Sequence, residues 1–307
     1  MPTGYYTHPS FLLHEMGHFH PECPERLQAI EDHLISHGLD GLLDRREAPP
    51  ATAAHLERVH RPDYLAALAA ASPASGYHPI DPDTLMNPRT LEAAAHAAGA
   101  AVAATDAVIA GELENAFCCV RPPGHHAEPD RAMGFCFYNN VAIAARHALE
   151  AHGLERVAIV DFDVHHGNGT EAAFRGERRV LMCSFFQHPF YPYSGAETIA
   201  PNMSNIPLPA YSNGMAVREV AETIWLPRLE EFKPQMLFIS AGFDAHREDD
   251  MGQMGLVEQD YAWITERLLE VARRHAQGRI VSCLEGGYNL SALARSVAAH
   301  LKVLMEG

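Results

Sequence analysis

Five short apolar runs recur along the chain with helical patterns between them: AFCCV (116–120), VAIVD (157–161), RVLMCSF (179–185), MLFIS (236–240) and IVSCL (280–284). Parallel neighbours in a sheet cannot be joined by a tight turn and are normally covered on both faces. Apolar strands alternating with helices therefore imply a parallel sheet with crossover helices, an α/β fold. The helix candidates are Glu25–His37, Leu91–Ala110, Asn140–His152, Met215–Phe232, Gln259–Gln277 and Ser291–Glu306, several of them alanine-rich at 3.6-residue spacing.

A chain of 307 residues can make one large α/β domain or two smaller ones, so the count rests on where the motifs fall. There is no Gly, Ser or Pro linker and no internal repeat. The stretch SPASGYHPIDPDTLMNP (72–88) is too short for a boundary and reads as a surface loop. The chemically unusual residues all follow strands: RPPGHH after 116–120, Asp161 and Asp163 closing 157–161, GFDAH after 236–240, and EGGY after 280–284. The carboxyl ends of an open parallel sheet form its ligand crevice, so four strand ends converge on one site. Residues 1–307 are accordingly read as a single catalytic domain.

The net charge of -16 argues against a nucleic-acid partner, which needs a basic footprint, and suits a cationic substrate; it also serves plain solubility. Six cysteines without a CxxC pair read as buried thiols in a reducing compartment. The N-terminal MPTGYYTHPSFLLHEMGHFHPE lacks the pattern of a signal peptide, and no apolar run reaches the ~18 residues of a membrane span. A cytoplasmic protein without a membrane partner is expected, of undetermined oligomeric state.

In DFDVHHGNGT (161–170), Asp163 and His165 lie two apart and share a side if the strand stays extended. Asp244 in SAGFDAH adds a third donor, giving the three-ligand open site of catalytic zinc. RPPGHHAEP brings His125 and His126 to a strand end, where a base near neutral pKa is useful. Asp161 and Asn168 are placed to receive their remaining ring N–H groups. In LEGGYNL the two glycines let the backbone turn and present the Tyr288 hydroxyl to an oxyanion. Each motif alone has a bland structural reading: strand-end caps, surface histidines, a turn with an exposed aromatic.

Together these motifs, with HPECPERL (20–27), GFCFYNN (134–140) and PFYPYSG (189–195), resemble the histone deacetylase family over almost the whole chain. Glu285 and Asn168 resemble its class II branch, where class I members usually show glycine and aspartate. The resemblance implies a single-domain arginase-like fold with a central eight-stranded parallel sheet and helices on both faces. It implies zinc on Asp163, His165 and Asp244, His126 as the proton-moving histidine, His125 paired to Asp161 as its electrostatic partner, and Tyr288 on the oxyanion. Phe135 and Tyr191 align with the aromatics flanking the lysine methylenes, though the second is more often Phe; Gly134, Gly286 and Met251 complete the substrate-binding set. A structural potassium ion would use Asp161, Ser184 and Phe185 with the backbone oxygens of Asp163 and His165. A second monovalent site would fall near Phe174 and Val180. Arg26 matches a buried arginine near the acetate exit pocket, or is a salt-bridge partner at a helix N-terminus.

A binuclear manganese ureohydrolase shares this fold, but its additional aspartates would fall at Gly167 and His246. Within the family, the expected substrate is N-ε-acetyl-lysine in proteins or peptides, with Met251 at the tunnel rim. The alternative is an acetylated polyamine or other small amine, favoured by Glu248, Asp249 and Asp250. A non-catalytic acetyl-lysine binder is the alternative of another class. Two carboxylates and one imidazole also accept iron(II) in place of zinc.

Overall fold

A computed structural model describes residues 1–197 and 200–306. Eight strands form one sheet: β1 (Thr3–Thr7), β2 (Asp44–Glu47), β5 (Asn115–Cys118), β6 (Val157–Asp161), β7 (Val180–Gln187), β8 (Met203–Leu208), β9 (Met236–Ala241) and β10 (Ile280–Leu284). The remaining pair, β3 (His78–Pro79) and β4 (Leu85–Met86), is a small antiparallel ribbon. The sheet order is β2-β1-β5-β10-β9-β6-β7-β8, with every pairing parallel.

All residues of β5, β6, β7, β9 and β10 are buried, as strands covered on both faces must be. The covering helices fall into two packed groups. Glu25–Ser36, Glu258–His275 and Leu290–Met305 pack together, and Thr90–Ile109 packs on Asn140–Glu150. The alanines of Thr90–Ile109 let that helix approach the strands closely, and Ala97, Ala100, Ala101 and Ala104 are wholly buried.

Three sheet strands lie outside the five apolar runs. β2 reads Asp-Arg-Arg-Glu and alternates between half-buried and exposed, because it is an edge strand paired to β1 alone. β8, the other edge, is buried only at its start. β1 carries Tyr5 and Tyr6 into the core between two strands.

The helix expected over 215–232 is continuous, but it passes through a π turn at Ala221–Trp225. Pro227 explains the irregularity, since it has no N–H to give the preceding turn. The stretch 72–88 holds the β3–β4 ribbon, and its Pro82, Asp83 and Leu85 line the cavity that also holds His126, His165 and Tyr288 in its walls. Reading it as a mere surface loop missed that role.

Candidate active site

β5, β10, β9 and β6 are adjacent at the centre of the sheet. Their carboxyl ends therefore bring RPPGHH, EGGY, GFDAH and DFDVHH to one place, as the strand-end reading anticipated. Above them opens a cavity of about 470 Å³. His126, His165, Gly134, Phe135, Phe190, Tyr191 and Tyr288 line it, with Met251, Asp250, Asp83 and His20 among the remaining walls.

At its floor Asp163, His165 and Asp244 are buried, with donor atoms within 4.8 Å of one another. His165 Nδ1 lies 2.9 Å from Asp163 Oδ1 and 3.2 Å from Asp244 Oδ2. Backbone N–H groups fix the carboxylates: Gly286 donates to Asp163 Oδ2 (2.9 Å) and Val164 to Asp244 Oδ1 (2.9 Å). Asp244 Oδ2 is buried without a hydrogen bond. Burial and the Asp163 charge push the Asp244 carboxyl up to about 7. Burial lowers the pKa of His165, but the two carboxylates overcome this and lift it to about 10. The pocket thus favours positive charge between one imidazole and two carboxylates, and an orphaned oxygen points into it. This donor set fits a divalent cation.

Gly286 is required by space. A Cβ there would stand 2.1 Å from Asp244 Oδ2 and 2.6 Å from Asp163 Oδ2. Gly167 and His246 leave the ureohydrolase's further ligands missing. A Cβ on Gly167 would meet Asp161 Oδ2 at 2.4 Å, and His246 turns its Nε2 toward Glu258, 3.6 Å away.

The tandem histidines differ in environment. His125 Nδ1 is 2.9 Å from Asp161 Oδ2, and its Nε2 is 3.8 Å from Asp163 Oδ2. Burial opposes its charge, but Asp163 and Asp161 together raise it well above an ordinary imidazole. His126 is pushed the other way, by burial and by the neighbouring His125 and His165. Its Nδ1 meets Asn168 Oδ1 at 2.8 Å. The Asn168 amide nitrogen donates to Glu128 Oε1 (2.7 Å), so its oxygen faces His126 and the ring proton sits on Nδ1. Nε2 is left as an acceptor. One histidine is held charged and its neighbour neutral, a division suited to acid–base work.

Two buried carboxylates brace these loops. Glu285 Oε2 accepts from the N–H groups of Gly124 (2.6 Å) and His125 (3.1 Å), while Ser240 Oγ donates to Oε1 (3.0 Å). Asp249 Oδ2 accepts from Tyr288 N (2.6 Å) and Asn289 N (2.9 Å), and its Oδ1 from Met251 N (2.9 Å). The sequence reading used Glu285 only as a mark of subfamily and Asp249 only as a nearby charge. No local pattern reveals that a carboxylate will face backbone donors from a distant loop.

Burial pushes the Tyr288 phenol well up, so it stays protonated as a donor. The Arg26 guanidinium lies 5.0 Å from its ring centroid. Arg26 also donates to Gly287 O (2.6 Å) and Glu285 O (2.5 Å) and pairs with Glu22 (3.0 Å), which is bound in turn by Arg121. Arg26 is thus an ion-pair partner near a helix N-terminus, the second of its two readings, and it also underlies the tyrosine loop.

Phe135 faces Tyr288 with ring centroids 6.0 Å apart, and Tyr191 stands edge-on to His126 at 5.2 Å. Gly134 and Phe135 both have left-handed backbone, at φ 57° and 69°. A Cβ on Gly134 would lie 2.4 Å from His126 Cδ2. Phe190, which the sequence reading passed over, stacks on His165 at 5.4 Å.

Ser184 Oγ donates to Asn205 (3.0 Å), and Asp161 Oδ1 accepts from Asp163 N (3.1 Å) around the expected potassium position near Phe185. Near Phe174 and Val180, the Asn202 amide donates to the carbonyl oxygens of Phe174, Glu177 and Val180 at 2.8–3.2 Å. Those acceptors are engaged by an amide. Cys136 is buried, with Sγ 3.2 Å from Gly134 O.

A buried cation cradle, a neutral imidazole and a protonated phenol under an aromatic-walled cavity are the equipment of a hydrolase acting on a carbonyl group. The histone deacetylase domain model matches residues 20–304. The histone deacetylase-like amidohydrolase of Pseudomonas aeruginosa is 42% identical over 277 residues, covering 88% of this chain and 73% of that protein. The polyamine deacetylase HDAC10 of Mus musculus is 37% identical over 301 residues, 92% of this chain and 45% of its own length. The HD domain of HDA15 superposes with a TM-score of 0.94 at 34% identity, covering 99% of this chain and 90% of that one. The chain belongs to the histone deacetylase family, and it is a deacetylase of the hydrolase class. Among the described residues no helix is long and apolar enough to cross a membrane.

Proposed function

We propose that the protein is a zinc-dependent deacetylase of N-ε-acetyl-lysine in peptides or proteins, and that Asp163, His165 and Asp244 hold the ion. The observation carrying this is the convergence of those donors with His126 Nε2 and Tyr288 at the floor of one aromatic-walled cavity. Zinc at this position supplies Lewis acidity toward the acetyl carbonyl and acidifies water. His126 takes the proton of the attacking water on Nε2 and returns it to the leaving amine nitrogen. The His125–Asp161 pair keeps a positive charge beside it, and the Tyr288 hydroxyl donates to the developing oxyanion. Acetate and free amine are the products. Asp161, Ser184 and Phe185, with the backbone of Asp163 and His165, are proposed to hold a structural potassium ion.

Phe135 and Tyr191 suit the methylenes of an acyl-lysine, and Met251 leaves the mouth without a carboxylate at that position. Exposed Asp83 and Asp250 favour the second reading, an acetylated polyamine, as the name of the HDAC10 relative also suggests. Turnover of a fluorogenic acetyl-lysine peptide by zinc-loaded wild type and Tyr288→Phe tests the chemistry. Loss of one oxyanion donor is worth ~10²–10³ in kcat; equal rates refute the assignment. Comparing kcat/KM for that peptide and N-acetylputrescine tests the substrate. A preference for the polyamine above about tenfold, roughly 1.4 kcal/mol, overturns the lysine reading.

A further inference from the structure

One side-chain cluster away from the cavity carries ligand chemistry that the deacetylase reaction does not use. Asp106 stands in the last turn of helix Thr90–Ile109, His147 in the last turn of Asn140–Glu150, and His152 two residues beyond that helix. The packing of these two helices brings all three together. Nε2 of His147 and Nε2 of His152 both lie 2.6 Å from the same oxygen, Asp106 Oδ1, and the donor atoms are within 4.8 Å of one another. The rings cross at 80° with centroids 5.1 Å apart, so the two nitrogens approach the carboxylate from different directions. His147 is buried and fixed, whereas Asp106 and His152 reach solvent.

We propose that Asp106, His147 and His152 form a second, peripheral site for a borderline divalent ion, zinc foremost, with water completing the coordination. One carboxylate and two imidazoles are a donor set of the kind used by catalytic zinc sites. With metal–ligand bonds near 2.0–2.1 Å, neighbouring ligands in a tetrahedron stand about 3.3 Å apart. From the present 2.6 Å contacts the side chains need to open by less than ~1 Å, which an exposed aspartate and a post-helical histidine can do. Burial raises the Asp106 carboxyl, but the hydrogen bonds from His147 and His152 hold it below its ordinary value, so it is ionised and ready to ligate.

Arg58 sets the cost of loading. Its Nη1 donates to His147 Nδ1 (3.1 Å), which places the ring proton on Nε2 in the metal-free protein. Binding through Nε2 moves that proton to Nδ1, which then no longer accepts, so Arg58 must turn toward Glu150, whose Oε2 is already 3.3 Å from its Nε. The site consequently gains affinity when Arg58 is removed.

Metal counting on the chelator-stripped and re-loaded full chain decides the matter. Wild type at saturating zinc holds one equivalent more than His152→Ala and one more than Asp106→Asn, while both variants turn over acetyl-peptide at the wild-type rate. Zinc raises the melting temperature of wild type beyond that of either variant, and Arg58→Gln binds the extra equivalent more tightly. Equal stoichiometry in wild type and both variants means that the cluster is only a hydrogen-bonded clamp, and the proposal falls. Weaker zinc binding in Arg58→Gln refutes the assigned ligand atoms.

Discussion

Replacing Glu285 by glutamine should leave the fold and most of the activity intact while changing how stability depends on pH. The carboxyl of Glu285 is completely buried among two backbone N–H donors and the Ser240 hydroxyl. Burial raises it from its ordinary 4.5 to about 7, against the lowering by His125 and the Gly124 N–H. Protonation breaks no bond there: Oε2 still accepts from Gly124 and His125, and a protonated Oε1 donates to Ser240, whose hydroxyl turns to accept. Glutamine reproduces that protonated form, with its amide nitrogen in the place of Oε1. Because the folded-state pKa lies above the unfolded one, the wild type is most stable below pH 4.5 with respect to this group. It loses that contribution as pH rises through 7, by about 3 kcal/mol at 1.36 kcal/mol per pKa unit. Glu285→Gln does not titrate. Urea denaturation at pH 5 and pH 8 should therefore show the variant gaining on wild type by a few kcal/mol between the two. Parallel stability curves would show that this carboxyl does not titrate in that window, and the reasoning would fail. Glu285→Ala, which orphans two buried N–H groups at about 1–3 kcal/mol each, should be far less stable.

Gly134→Ala places a methyl 2.4 Å from His126 Cδ2 at a backbone φ of 57°, so kcat should fall by ~10² or more while the chain still melts cooperatively. Asp249→Ala frees the N–H groups of Tyr288, Asn289 and Met251, and should lower kcat for acetyl-lysine peptide more than it raises KM; an unchanged kcat refutes its bracing role. His60 accepts from Asn139 N and donates to Glu128 O, and burial drops its pKa to about 4. Its contribution is complete above pH 6.5 and is lost, by about 3 kcal/mol, as pH falls toward 4; His60→Gln should flatten that acid limb in denaturant titrations.

The parts of this architecture visible in the sequence share a cause. Buried strands announce themselves as apolar runs, and the ligand motifs follow those runs because strand ends are where a parallel sheet places its chemistry. The edges were invisible for the converse reason: Asp44-Arg45-Arg46-Glu47 is a strand only because β1 lies beside it. The braces were equally hidden. Glu285 and Asp249 act on backbone groups about 160 and 40 residues away, and Phe190 is known as a partner of His165 only once the two rings stack.

β10 lies between β5 and β9, with its register fixed on both sides. Until β10 emerges during synthesis, β5 and β9 present apolar strands with unpaired edges, since the strand that joins them follows both in the chain. Asp163, His165 and Asp244 follow β6 and β9, which pair directly, but the seam that closes the sheet brings the histidine loop beside them and delivers Gly286 and Tyr288. A chain halted before β10 is therefore both inert and prone to edge-to-edge association, and the strand that seals the sheet doubles as a check on its integrity.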